Sequence, residues 1–163
     1  MQNHHPDWSS HIPTLIRAIE STTGPVLELG TGISSTPLLH MLCFDQDRKL
    51  VSYDSDEKYI NLFRKFRTKE HEVIHVINWD EIEAKIMSMH WGVVFVDHKP
   101  AEQRIVEIKK LANNADLIVI HDSQDPAYHY EEIYPLFKYR FDYTKSVTRT
   151  TVLSNVKEFI WQK

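Results

Sequence analysis

Apolar positions along the chain alternate between helical spacing and short unbroken runs, and the alternation predicts the order of elements. Leu15, Ile16 and Ile19 give a packed helical face from about residue 12, with Pro13 in the first turn and Ser10 placed to cap it. After a turn over residues 21–25, Val26, Leu27 and Leu29 read as a buried strand that breaks at Gly30 and Gly32. Ser34 and Ser35 then open a helix over residues 35–43, with Pro37 in its first turn. A second strand over residues 50–53 ends at Asp54, and a helix carrying Tyr59, Ile60, Leu62, Phe63 and Phe66 follows Ser55 and Asp56. A third strand over residues 73–77 leaves through Asn78, Trp79 and Asp80 into a helix over residues 80–89.

Residues 91–96 form an unbroken apolar run suited to the centre of a parallel sheet. It ends in Asp97, His98, Lys99 and Pro100, before a helix over residues 101–112 with Ile105, Ile108 and Leu111 on one face. A fifth strand, residues 117–120, ends in His121, Asp122 and Ser123, and a short helix is expected around residues 131–137. Two extended segments, YRFDYTKSV and TTVLS, turn near Arg149, and a tail follows whose Phe159 and Trp161 are placed to pack back. Strands alternating with helices predict a doubly wound α/β domain, whose parallel strands present their carboxyl ends to one crevice.

Composition agrees with one folded domain over residues 1–163: 42 % of residues are hydrophobic, 26 % are charged, and the formal charge is −4. Lys and Arg are scattered, which disfavours nucleic acid as a partner. Cys43 is the single cysteine and sits in the apolar stretch LLHMLCF, so it reads as a buried thiol. His4, His5 and Asp7 read as a solvated terminus rather than a metal cluster. With no charged leader before an apolar run, and no stretch near the roughly 18 apolar residues of a membrane span, an intracellular, cytoplasmic location is expected.

The stretch VLELGTGISS resembles motif I of the class I S-adenosylmethionine-dependent methyltransferases, with Glu28, Gly30 and Gly32 at the matching positions. The GxGxxG pattern of nicotinamide dinucleotide enzymes is not completed, which disfavours an oxidoreductase. The resemblance implies a mostly parallel seven-stranded sheet closed by a C-terminal antiparallel hairpin, with residues 1–20 flanking the cleft. It places S-adenosyl-L-methionine over the glycine turn, with Glu28, Gly30, Thr31, Gly32, Ser34 and Ser35 near its methionine end. Asp54, an acidic residue at the second strand's end beyond the glycine turn, is placed to bond the ribose hydroxyls beside Ser55. Asn78, Trp79 and Asp80 stand where the family contacts adenine, and Asp97 completes the cofactor set. Asp80 as a helix cap and Trp79 as a core aromatic are equally consistent readings.

VFVDHK and IVIHDS resemble the strand ends of the catechol O-methyltransferase group. By that resemblance Asp97 and Asp122 match metal-binding aspartates, Ser123 stands at an Asn position, His98 matches a His, and Lys99 arrives one residue early for a catalytic lysine. Mg²⁺ is the ion such oxygen ligands suit. The metal-free alternative makes His121 or His98 a general base, oriented by Asp122 or Asp97. The expected activity is O-methylation of a small molecule, sugar or glycan, with a homo-oligomer or a recognition subunit as possible partners. The alternative is a non-catalytic or partner-dependent domain of the same fold.

Overall fold

The computed structural model describes residues 6–161, so His4 and His5 lie outside the described residues. The first five strands are β1 (Val26–Leu29), β2 (Leu50–Asp54), β3 (His71–His75), β4 (Trp91–Val96) and β5 (Ala115–Ile120). With β6 (Tyr139–Tyr143) and β7 (Thr150–Ser154) they make one seven-stranded sheet in the order β3-β2-β1-β4-β5-β7-β6. The first five pair in parallel, and β7 runs antiparallel to β5 and to β6. The doubly wound sheet with a terminal hairpin is therefore as expected.

Helices α1 (Ile12–Glu20), α2 (Ser35–Asp45), α3 (Glu57–Phe63), α4 (Glu83–Ile86) and α5 (Ala101–Leu111) connect the parallel strands or precede them. Both faces of the central strands are covered. Val93 and Phe95 of β4 join Leu15, Ile19, Leu39 and Cys43 in one core, while Val94 and Val96 join Ile108, Leu111 and Ile133 in the other. Every residue of β4 is buried for that reason. Phe159 is buried in the first core, and Trp161 stacks on Phe141 at 5.8 Å, as the tail pattern anticipated.

Several boundaries differ from the sequence pattern. Ser10 does not cap α1; His11 holds that position without a side-chain bond, because the Ser10 hydroxyl is committed to the Asp7 carbonyl, His121 and Thr148. The third strand starts earlier and ends at His75, since its partner β2 stops at Asp54, opposite His75. Asn78, not Asp80, caps the following turn by accepting from the Asp80 amide, and that turn is a 3₁₀ segment, Trp79–Ile82, before the single turn of α4. The helix expected around residues 131–137 is replaced by two 3₁₀ turns, Tyr130–Glu132 and Tyr134–Leu136, after an earlier one at Pro126–Tyr128. Pro135 lacks the amide a longer helix needs, and His129 adopts the left-handed conformation (φ 53°) that separates the first two turns.

Candidate functional site

The strand order reverses between β1 and β4, so the loops leaving these strands part and open a crevice at their carboxyl ends. A cleft of about 650 Å³ lies there. It extends from the ends of β1 and β2 to those of β4 and β5. Three strand spacings separate β2 from β5, about 14 Å.

At the β1 end the backbone of Gly30 carries φ 95° and donates to the Tyr53 carbonyl at 2.8 Å. Thr31 donates to Asp54 Oδ2 twice, from its amide at 2.7 Å and its hydroxyl at 2.8 Å, while the Asp56 amide donates to Asp54 Oδ1 at 2.8 Å. Asp54 thus ties the glycine turn to β2 and still lines the cleft. Its pKa is raised by burial, against the pull of these three donors. Thr31, Gly32, Ser35 and Ser55 line the same end. Asp56 caps α3 by accepting from the Lys58 amide and also reaches the cleft.

Other expected cofactor residues stand elsewhere. Glu28 lies fully buried beneath α2, where it accepts from Thr36 Oγ1 at 3.0 and 3.1 Å, and Gly32 donates its amide to the same hydroxyl. Ser34 is the N-cap of α2 without a side-chain bond. Trp79 is buried against the His98 ring at 4.1 Å and donates its indole N–H to the Lys99 carbonyl, as the core-aromatic reading had it. Asp80 is exposed beside Lys110, and neither it nor Asn78, Trp79, Glu28, Gly30 or Ser34 is among the cleft-lining side chains.

At the opposite end the structure brings Asp97, His98, Lys99, His121 and Asp122 together around one opening. Arg104 of α5 donates to Asp97 Oδ1 at 2.9 Å and to the His98 carbonyl at 2.7 Å, and its guanidinium covers the Tyr128 ring at 4.3 Å. His121 Nδ1 meets Asp97 Oδ2 at 3.1 Å, and its Nε2 meets the Asp7 carbonyl at 3.0 Å. Asp97 only accepts, so Nδ1 carries a proton, while Nε2 also lies 2.8 Å from the Ser10 hydroxyl and 3.2 Å from that of Thr148. Burial pulls His121 down, but the Asp97 bond outweighs it and leaves its pKa raised. Burial likewise pushes Asp97 up, yet His121 and Arg104 hold its carboxyl below the usual range.

Asp122 takes the left-handed conformation (φ 53°), and burial raises its pKa. Its Oδ1 is 3.5 Å from His121 Nε2. Asp97, His121 and Asp122 offer ligand atoms within 4.8 Å of one another. The expected third oxygen ligand is not among them: Ser123 donates to the Arg149 carbonyl and accepts from Thr151. With both Asp97 oxygens bonded, to the Arg104 guanidinium and to His121, this donor set does not form the oxygen cage Mg²⁺ requires. His98 is equally committed to the interior, since it is buried with neither ring nitrogen hydrogen-bonded and burial lowers its pKa to about 3.

Trp8, His11, Arg104 and Tyr128 complete this end of the cleft. Tyr128 belongs to the loop that leaves β5, so its place beside the cleft follows from the strand end it continues. Trp8 and His11 fall in the N-terminal segment expected to flank the cleft, whereas Arg104 gave no such signal, because nothing local marks a helix residue that reaches across to another strand's end.

No family model and no curated protein matches the sequence. Among solved structures, an rRNA methylase from Streptococcus thermophilus is 12 % identical with a TM-score of 0.61, over 96 % of this chain and 100 % of that one. The N-terminal domain of human METTL16, in complex with SAH, is 14 % identical with a TM-score of 0.62, over 96 % of this chain and 73 % of that one. The C-terminal domain of a precorrin-6Y C5,15-methyltransferase from Rhodobacter capsulatus is 10 % identical with a TM-score of 0.58, over 88 % of this chain and 86 % of that one. Among the described residues no helix is long and apolar enough to cross a membrane. The sheet order, the terminal hairpin and these neighbours together identify the fold as that of the class I S-adenosylmethionine-dependent methyltransferases.

Proposed function

We propose that the chain is an S-adenosylmethionine-dependent methyltransferase whose cofactor occupies the end of the cleft between the glycine turn and Asp54. The observation that carries this reading is the pairing of a methyltransferase sheet with an open cleft in which Thr31, Gly32, Ser35 and Asp54 line one end. A volume of about 650 Å³ suits a ligand of that size. The cofactor would supply an electrophilic methyl group on sulfur. The chain's part is to hold it, hold the acceptor in line and exclude water.

In this reading Asp54 accepts from the ribose hydroxyls, the amides around Gly32 and Ser35 meet the methionine carboxylate, and Ser55 borders the nucleoside. Asp122 is the acceptor-facing carboxylate. It has lone pairs to offer an N–H or O–H of the acceptor, whereas the ring nitrogens of His121 are spent on Asp97 and Asp7. His121 and Arg104 then act by fixing Asp97 at the β4 end, and His98 and Lys99 shape the wall between the two ligands. The expected hydroxyl of a small molecule, sugar or glycan draws no support from the neighbours' names, which include an rRNA methylase and a precorrin methyltransferase. A non-catalytic domain of this fold predicts a closed crevice, and the open cleft favours catalysis.

Calorimetric titration with S-adenosylmethionine, S-adenosylhomocysteine and NAD tests the reading: binding of both methionine-derived ligands is expected, and binding of NAD alone would overturn it. Asp54→Ala should weaken S-adenosylhomocysteine at least about tenfold, the worth of a charge-assisted pair of hydrogen bonds. Unchanged affinity in the folded variant would remove the ribose role.

A further inference from the structure

The charge of the cleft limits what can enter beside the cofactor. Asp54, Asp56, Glu57, Asp97 and Asp122 line it, against the basic side chains of Lys99 and Arg104. His121, bonded to Asp97, adds a further cation when protonated, while burial keeps His11 and His98 neutral with pKa values of about 3. The ammonium and carboxylate of S-adenosylmethionine cancel, its sulfonium adds a single positive charge, and carboxylates still outnumber cations.

The buried cation is also committed. Each guanidinium nitrogen of Arg104 is bonded: Nε to the His98 carbonyl at 2.7 Å, Nη1 to the Tyr130 hydroxyl at 3.4 Å and Nη2 to Asp97 Oδ1 at 2.9 Å. Arg104 is 3 % exposed and has no freedom to turn towards a phosphate or carboxylate. Lys99 stands exposed at the rim. An anionic acceptor would meet a negative cleft with only the Lys99 ammonium to receive it.

A cationic acceptor finds partners. Asp122 Oδ1 is 3.5 Å from His121 Nε2, beyond a good hydrogen bond, and an ionised carboxylate has about four acceptor positions. Burial raises the Asp122 pKa against the pull of His121, so a cation placed beside it offsets a desolvation cost. His11, in the same wall, is 2 % exposed with neither ring nitrogen hydrogen-bonded. Its neutral ring has a lone pair to offer a second N–H. Trp8, 42 % exposed, and Tyr128 add ring faces at this end, and Tyr128 already carries the Arg104 guanidinium at 4.3 Å.

We propose that the methyl acceptor is an amine that enters as its ammonium ion, anchored by Asp122 between the rings of Trp8, His11 and Tyr128, and that the reaction is an N-methylation. The proposal rests on the methyltransferase reading and names the acceptor class for it. The ammonium gives one N–H proton to the Asp122 carboxylate, which frees the nitrogen lone pair. That lone pair forms the N–C bond to the methyl carbon as the C–S bond breaks, and the electrons of the broken bond stay on sulfur. The amine leaves as a methylammonium ion, the sulfur is left as a neutral thioether, and Asp122 releases its proton to solvent. Asp122 is thus counter-ion in binding and proton acceptor before transfer.

Calorimetric titration of the chain loaded with S-adenosylhomocysteine tests this with matched probes: benzylamine, benzyl alcohol and benzoate, then propylamine, propanol and propionate. Each amine should bind at least about tenfold more tightly than its alcohol or carboxylate. Equal affinities within a set, or tighter binding of the carboxylate or of a short RNA oligonucleotide, would overturn the proposal. Asp122→Asn keeps the side-chain shape and tolerates the left-handed backbone at this position (φ 53°). It should lose the preference for amines with S-adenosylhomocysteine affinity unchanged, and a preference that survives would overturn the role of Asp122. With S-adenosylmethionine, mass spectrometry should find the methyl group on the amine and not on the alcohol. A lysine peptide with a blocked amino terminus separates the sources of the amine: tighter binding than propylamine assigns a peptide side chain, weaker binding a free small molecule. Failure to bind S-adenosylhomocysteine, with the amine preference intact in the ligand-free chain, would count against the methyltransferase reading and leave the cation site standing.

Discussion

Gly30→Ala should cost more than ~4 kcal/mol of folding stability, at the far end of what single substitutions do. A methyl group there would sit 2.6 Å from the Asp97 carbonyl carbon and oxygen and from the His98 amide nitrogen. None of these is the end of a flexible side chain. They belong to the backbone where β4 ends, and the Asp97 amide is already bonded to the Leu29 carbonyl at 2.8 Å. Relieving the clash would pull β1 from β4 at the point where the cleft opens. The positive φ of 95° adds strain that any L side chain meets. Gly24→Ala separates the two effects, since Gly24 also has a positive φ (84°) but its nearest obstacle is 3.8 Å away. That variant should lose only about 1–2 kcal/mol. Denaturant midpoints of the two variants measure the difference, and similar losses would show that backbone strain, not the approach of the two strands, fixes this glycine.

Acid should unfold the protein well above the carboxylate range. His11, His71 and His98 are buried with lowered pKa values, about 3, 4 and 3, chiefly through burial. The unfolded chain binds protons at these rings below about pH 6.5, and the folded chain does not. Their contribution to stability is therefore complete above pH 6.5 and is lost as pH falls towards 4. Glu28 opposes them, since its folded pKa near 7 lets the folded state take up a proton first. For these four groups the balance between pH 6 and 5 is a net uptake of about two protons on unfolding, a loss of about 3 kcal/mol per pH unit, which the raised Asp54 and Asp122 carboxyls reduce. Urea midpoints at pH 7.5, 6.5 and 5.5 should fall steeply over the last interval. His11→Phe, at a ring packed 4.7 Å from Phe95, should shallow the slope by one proton. Constant midpoints from pH 7.5 to 5.5 would show that these rings are hydrated.

Periodicity along the chain determined the parallel sheet, the helices between its strands and the hairpin after them. Burial on both faces leaves β4 and β5 as apolar runs, and solvent on one side of α1 and α5 leaves a helical stripe, so both patterns are local. Clustering of Asp97, His98, His121 and Asp122 was legible too, because parallel strands must end at one edge. The direction of individual side chains was not. β1 is buried on both faces, so no alternation says that Glu28 points under α2 while Thr31 points into the cleft. Trp79 and Asn78 follow a strand end, yet the short 3₁₀ turn after it rotates the indole inward onto His98. Only the tertiary structure brings Arg104 to Asp97 and the segment from Asp7 to His11 onto His121. Those contacts join residues up to 114 positions apart, and no spacing in a sequence encodes which buried charge will neutralise another.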